Sequence, residues 1–303
     1  MHDAHEDQTT LAVIAVAVGN SRTRIGLVER DGVAHAEAIA TSAPGSPPDA
    51  AAIASASGAA TNAPAGVIDS LVRAILSIAA EHHAAPIVIA SVNNRVADPL
   101  ARALRDEPSI TGRVYRVGQD VAIPIRHALD GDGSTAGQDR LLCAIAAFET
   151  AKQACVVIDA GTAITVDFVD GQGVFQGGAI APGITMMLRS MHTGTAALPL
   201  LAPEPLDPAA PAWGTNTKAA MQRGVHASIL GLVHVLLERY AEAYGAYPQV
   251  IATGGDAPLL FKDEPLVEHV VTDLQLRGIW LACREALAGE HDGDAGFGSG
   301  SDE

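Results

Sequence analysis

One pattern occurs twice in this chain of 303 residues, the second time 142 residues after the first. The first copy starts with the apolar run Leu11–Val18 (LAVIAVAV), breaks at Gly19, and continues as strands over 24–28 and 33–39 about the turn Asp31-Gly32. The second has strands over 155–158, 164–169 and 174–180, with Asp170-Gly171 as its turn. Short apolar runs bounded by turn residues read as buried strands. Ala17-Val18-Gly19-Asn20-Ser21 in one copy stands where Asp159-Ala160-Gly161-Thr162-Ala163 stands in the other. A repeat of domain size predicts an α/β protein made of two βββα units facing each other across a cleft, the usual place for a small ligand.

The remaining elements fit that division. Val67, Leu71, Ile75 and Ile78 have helical spacing within 67–82, and a strand (IVIASV), a helix over 96–105 and a strand over 113–117 follow. The run Asp130-Gly131-Asp132-Gly133 marks a boundary. Beyond it, a helix is expected from Gln138 to Ala151, a long helix or broken pair over 215–244, a strand over 249–252, a Gly-Gly turn and a last helix over 276–288. The domains expected are therefore 11–126 and 127–288, flanked by disordered acidic tails at 1–10 and 289–303. Residues 41–66, rich in Ala, Ser, Pro and Gly, read as a surface insertion.

Charge narrows the partners. The formal net charge is −16, and half of it lies in 1–10 and 289–303, which carry no Lys or Arg. The body has no basic footprint for nucleic acid and no Lys/Arg run for an anionic membrane, so a small-molecule substrate is expected. Aromatic residues are only 4%, too few for base-stacking platforms, and no apolar run reaches the roughly 18 residues of a membrane span. Met1–Thr10 is acidic, unlike a secretory signal. Cys143, Cys155 and Cys283 are widely spaced in apolar surroundings, which reads as buried thiols in a reducing, cytoplasmic setting. Met186, Met187 and Met191 read as core or interface packing, and His82-His83 as a solvated or capping pair at a helix end.

Two motifs carry chemistry. In Asp159-Ala160-Gly161-Thr162 the glycine permits a tight turn, so backbone N–H groups and the Thr162 hydroxyl can point at a phosphate while the strand-end carboxylate holds a cation. A hairpin turn with an Asx-type hydrogen bond accounts equally well for this stretch alone. The twin at Gly19-Asn20-Ser21 favours phosphate binding, since two such loops can grip the phosphates of a nucleotide. Neither GxxxxGK[ST] nor a helix-opening GxGxxG occurs. In Gly137-Gln138-Asp139-Arg140, Asp139 can accept a hydroxyl proton and Arg140 can hold an anionic group; the alternative is an acid complementing the helix dipole beside a surface charge.

Taken in order, AVGNSRTRIG, GQDRL, DAGTAITVD, GGAIAPG, GTNT and TGGDA resemble a type III pantothenate kinase of the acetate and sugar kinase/Hsc70/actin superfamily, over about 11–288. The resemblance implies two RNase H-like, actin-like ATPase domains (βββαβα) about a nucleotide cleft, and phosphorylation of pantothenate in the first step of coenzyme A synthesis. It implies that Asp139 is the general base, with Gly137, Gln138, Arg140 and Thr217 at the substrate. It further implies that Gly19, Asn20, Ser21, Arg22 and Thr162 meet ATP, that Asp159 is the monovalent-cation ligand, and that Thr253–Asp256 is the adenosine-side loop. ATP, Mg²⁺ and K⁺ or NH₄⁺ are the implied cofactors, and a cytoplasmic homodimer the implied state. Two positions depart from the pattern. Ala17 stands where the family's first loop has Asp, and the usual substrate-site Tyr has only His127 as a nearby candidate. The alternatives are a nucleotide-binding pseudokinase and a relative acting on another hydroxyl acceptor.

Overall fold

The computed structural model describes residues 11–41 and 65–294. Most of the expected insertion, 42–64, and residues 1–10 and 295–303 lie outside the described residues. The chain divides into two compact units, one reaching Pro124 and resuming at Gln275, the other Ile125–Leu274.

The first unit contains β1 (Val13–Val18), β2 (Arg22–Glu29), β3 (Gly32–Ala40), α1 (Ala65–Ala79), β4 (Ile87–Ser91), α2 (Asn94–Arg105) and β5 (Val114–Arg116). Its sheet runs β3-β2-β1-β4-β5, with β1 antiparallel to β2 and parallel to β4. Every residue of β1 is buried because the sheet is covered on both faces, which is why the run is apolar without alternation. Ile14, Val16 and Val18 pack with Leu71 and Ile75 of α1 and Leu100 and Leu104 of α2. Full burial of each large aliphatic side chain stabilises the fold by about 1.5–3 kcal/mol. The other face meets α7 (Leu274–Asp294), where Leu276 lies against Gly26 and Trp280 Nε1 donates to the Leu11 carbonyl at 2.9 Å. Helix α7, grouped by sequence position with 127–288, thus clusters with the first unit from Gln275 onward, and it continues past Gly289 to Asp294.

The second unit contains β6 (Arg126–His127), α3 (Gln138–Ala151), β7 (Cys155–Ala160), β8 (Ala163–Val169), β9 (Val174–Pro182), α4 (Ile184–Thr193), α5 (Thr217–Tyr244), β10 (Gln249–Thr253), α6 (Ala257–Phe261) and β11 (His269–Val270). Its sheet runs β11-β10-β7-β8-β9-β6. The relation of β7, β8, β9 and β10 repeats that of β1, β2, β3 and β4: two antiparallel pairings, then a parallel neighbour on the far side of the first strand. The protein is α/β with two RNase H-like sheets.

Helix α5 is one continuous helix, closed by Gly245 in the left-handed region at φ 82°. By length and composition it could cross a membrane, with a mean hydropathy of 1.2 over its most apolar window. Met221, Val225, Ile229, Val233 and Leu237 form one stripe along it, and this stripe is buried in the second core. Helix α4 was not legible as an element, although Met187 and Met191 do pack against that core. The two-residue strands β6 and β11 are too short to show any period.

Candidate active site

Helix α3 starts after Gly137, whose extended backbone (φ −61°, ψ 136°) supplies no side-chain cap, so Asp139 in the first turn faces unsatisfied N–H groups and the positive end of the dipole. Its Oδ1 accepts the Arg140 backbone N–H at 2.9 Å. Burial pushes the Asp139 carboxyl above the usual range, against the lowering effect of that hydrogen bond and of the Arg140 charge.

The Arg140 side chain turns to β8. Nε donates to both oxygens of Asp167, at 3.0 and 3.1 Å, and Nη2 also donates to Oδ1. The pair is deeply set, with side chains 14% and 2% exposed. The Phe175 ring lies 5.5 Å from the Arg140 Cζ. Across the β8–β9 ladder Asp167 pairs with Gly178, where any Cβ would collide with the Asp167 carboxylate and the Val166 carbonyl. Burial raises the Asp167 carboxyl, with Arg140 opposing, and Tyr240 is raised by burial and then by the Asp167 charge.

A second cluster lies at the ends of two parallel strands. Asp159 on β7 stands beside Thr253 on β10, so the turns that follow leave the sheet at the same edge. Gly161 N–H bonds the Ala163 carbonyl at 3.0 Å, closing one turn. In the other, Gly254 has φ +94°, and a Cβ there would strike Asp159 Oδ1 and the Ala160 carbonyl. Asp256 N–H bonds that same carbonyl at 2.9 Å. Gly183, which opens α4, donates to the Thr162 carbonyl at 3.1 Å. DAGT, TGGDA and the end of GGAIAPG, separated in sequence, therefore meet through backbone contacts. Glycines at 183 and 254 allow an approach that any side chain would prevent.

His127 pairs in register with Phe175 and lies under Gly133, where a Cβ would come within 2.5 Å of Nε2; its Nδ1 is buried with no hydrogen-bond partner. Thr217 is the exposed first residue of α5, after Asn216, which caps the helix by accepting the Ala219 N–H at 2.9 Å. In the first unit, Gly19 N–H bonds the Arg22 carbonyl at 3.0 Å, closing the turn that carries Asn20 and Ser21, and the Ser21 carbonyl accepts the Thr41 N–H at 2.9 Å. Ala17 is 2% exposed between Arg24 and Ala90.

Among the described residues no three His, Cys, Asp or Glu side chains converge as a ready-made metal centre. The Asp159 carboxylate and the nearby Ala160 carbonyl form an oxygen-only donor set, which fits a hard cation better than a zinc-like one. Sequence reasoning gave Asp167 no role. The signal was available: in DAGTAITVD it occupies a strand slot out of phase with the core-facing Ile164 and Val166.

The sequence pattern of type III pantothenate kinases matches residues 13–239. A type III pantothenate kinase of Rhodospirillum rubrum is 40% identical over 148 residues, 49% of this chain and 56% of that protein. One from Rhodopirellula baltica is 39% identical over 201 residues, 62% of this chain and 71% of that protein. The chain thus spans between about half and three-quarters of the length of these curated relatives. A solved Campylobacter jejuni protein described as a Baf family transcriptional activator aligns with a TM-score of 0.50 at 17% identity, over 91% of this chain and 100% of its own, a likeness of fold. With the first sheet's β1 to β5, the GxDR helix start and the DxGT turn all inside the matched span, this chain belongs to the type III pantothenate kinase family.

Proposed function

We propose that the protein transfers the γ-phosphoryl group of ATP to the hydroxyl of pantothenate, giving 4'-phosphopantothenate and ADP at the first step of coenzyme A synthesis. The observation that carries this reading is Asp139: a half-buried carboxylate at a helix start, with its proton affinity raised by burial, following the family's GxDR pattern. A carboxylate of raised pKa is a stronger base than a free one. The pantothenate hydroxyl oxygen attacks the γ-phosphorus, its proton passes to Asp139, and the bond to the β–γ bridging oxygen breaks, leaving ADP. Asp167 engages Nε and Nη2 of Arg140, so Nη1 is the donor not committed to it and suits an anionic group of the substrate. Gly137, Gln138, His127 and Thr217 line the substrate side.

The residues proposed to meet ATP are Gly19, Asn20, Ser21 and Arg22 in one turn and Thr162 in another. Asp159 with neighbouring carbonyls would hold K⁺ or NH₄⁺, and Mg²⁺ would arrive with the triphosphate; such cations neutralise charge on the phosphates. The protein works as a cytoplasmic homodimer, with no nucleic acid or membrane partner. No observation favours the non-catalytic alternative raised by Ala17. The test is ADP formation with Mg²⁺ and K⁺, with and without pantothenate. Pantothenate-dependent ADP and a phosphorylated product are expected, and ATP turnover indifferent to pantothenate would reject the acceptor.

A further inference from the structure

We infer that Asp167 is a positioning residue for the reaction: by binding the Arg140 guanidinium through Nε and Nη2 it keeps that cation from closing on Asp139, so the base stays free to take a proton. The inference rests on Asp139 being the base, as proposed above. Arg140 directly follows Asp139, and Asp139 is already within its electrostatic reach. Without another anion, the carboxylate nearest this guanidinium would be Asp139 itself. A salt-bridged Asp139 would be ionised but a weak base, with its lone pairs occupied.

The surroundings of Asp167 favour this contact. It is 1% exposed in strand β8, Gly178 opposite it leaves room for no side chain, and Phe175 lies 5.5 Å from the Arg140 Cζ. A buried ion pair adds little stability compared with apolar residues of the same volume, so its presence here calls for an explanation in geometry. The charged groups that act on Asp139 are Arg140 on its own helix and Asp167 on β8, and Tyr240 on α5 acts on those two. Among these, only Asp167 accepts hydrogen bonds from the Arg140 side chain.

The experiment compares the full chain with Asp167→Asn. Asp139 is titrated by carbon-13 NMR of its carboxyl, assigned as the resonance lost in Asp139→Asn, and kcat and KM are measured against pH with pantothenate and Mg-ATP. In Asp167→Asn the negative neighbour is gone and Arg140 is released toward Asp139. The Asp139 titration and the acidic limb of kcat should both move to lower pH, kcat should fall by about 10-fold or more, and the KM for ATP should hold. Adding Asp167→Asn to Arg140→Ala should shift the Asp139 titration much less than Asp167→Asn shifts it in the parent, because Asp167 acts mainly through Arg140 and only its direct charge effect is left. If Asp167→Asn does not fold, Asp167→Glu keeps the charge pair one methylene longer and should show the same shift in smaller degree. A folded Asp167 variant with an unchanged Asp139 titration overturns the inference, whether or not the chain accepts pantothenate. A parent without pantothenate-dependent turnover instead overturns the proposed reaction, and the Asp139 titration then decides by itself whether Asp167 holds Arg140 away.

Discussion

The two sheets share one register but differ in what they carry. In the first, Ala15 on β1 faces Gly26 on β2, and Ala17 is flanked by Arg24 and Ala90. In the second, the matching Val157 faces Asp167, and Asp159 is flanked by Thr165 and Thr253. Where Gly26 makes room for Leu276, the second copy places a carboxylate that binds Arg140. Where Ala17 is 2% exposed with no polar atom in its side chain, the second copy has an acid beside a glycine turn. One scaffold thus serves two tasks. Backbone N–H groups at a tight turn come with the fold and survive in both copies, whereas the acids Asp159 and Asp167 at these matched positions are found in the second alone.

The largest effect expected from this asymmetry is on stability. Asp167→Ala breaks the buried ion pair with Arg140, whose side chain is 14% exposed, and should cost about 3–5 kcal/mol in denaturant unfolding. Gly26→Ala, the matching change in the first sheet, adds a methyl 3.0 Å from Leu276 Cδ1 and close to a backbone carbonyl, and should cost about 1–3 kcal/mol. Equal losses would show that the ion pair has no special standing.

Next comes turnover. Asp139→Asn should lower kcat by about 10²-fold or more, some 2.7 kcal/mol, while nucleotide affinity holds, because the amide keeps the shape but takes no proton. Burial raises the Asp139 carboxyl, so kcat of the parent should fall as pH drops through that raised value, and this limb should vanish in the variant. Near-parental turnover in Asp139→Asn would reduce Asp139 to a helix-start residue.

The glycine turns give a smaller contrast. Gly254→Ala forces a methyl-bearing residue to φ +94° against Asp159 and should cost about 1–3 kcal/mol in thermal unfolding, with turnover reduced as well. Gly19 has no positive φ, and its Cβ would meet only the Arg22 carbonyl, at 2.8 Å, so Gly19→Ala should cost less. The reverse order would make the first loop the more constrained one.

Cation dependence is the mildest test. Replacing K⁺ by a large organic cation at fixed ionic strength should slow the parent, and Asp159→Ala should remove the difference. Ala17→Asp should lower the half-saturating Mg²⁺ concentration severalfold once circular dichroism shows the fold intact. No change in either variant would mean that other oxygens hold the cations.

Apolar runs, turn glycines and their spacing made most of this readable beforehand, since a strand buried on both faces needs a continuous apolar run and a duplicated domain repeats it. The strands β1 and β7, the helix α3 from Gln138 to Ala151 and the motif order all lie in local chemistry that sequence shows directly. Elements without such a signal were missed: β6 and β11 hold two residues each, and α7 changes units because its apolar face fits the first sheet, a matter of shape rather than sequence order.

For the site, the chain by itself determined which residue types are present: an acid and an arginine at a helix start, an acid before a Gly-Thr turn, an alanine in place of an acid at 17. Only tertiary structure decided whom they meet. Arg140 looked free to bind substrate, and Asp167, 27 residues on, was assigned no role. Folding buries the two together, because a guanidinium carried inward by its helix must find an anion at the depth where it is desolvated, and β8 provides one opposite the space left by Gly178.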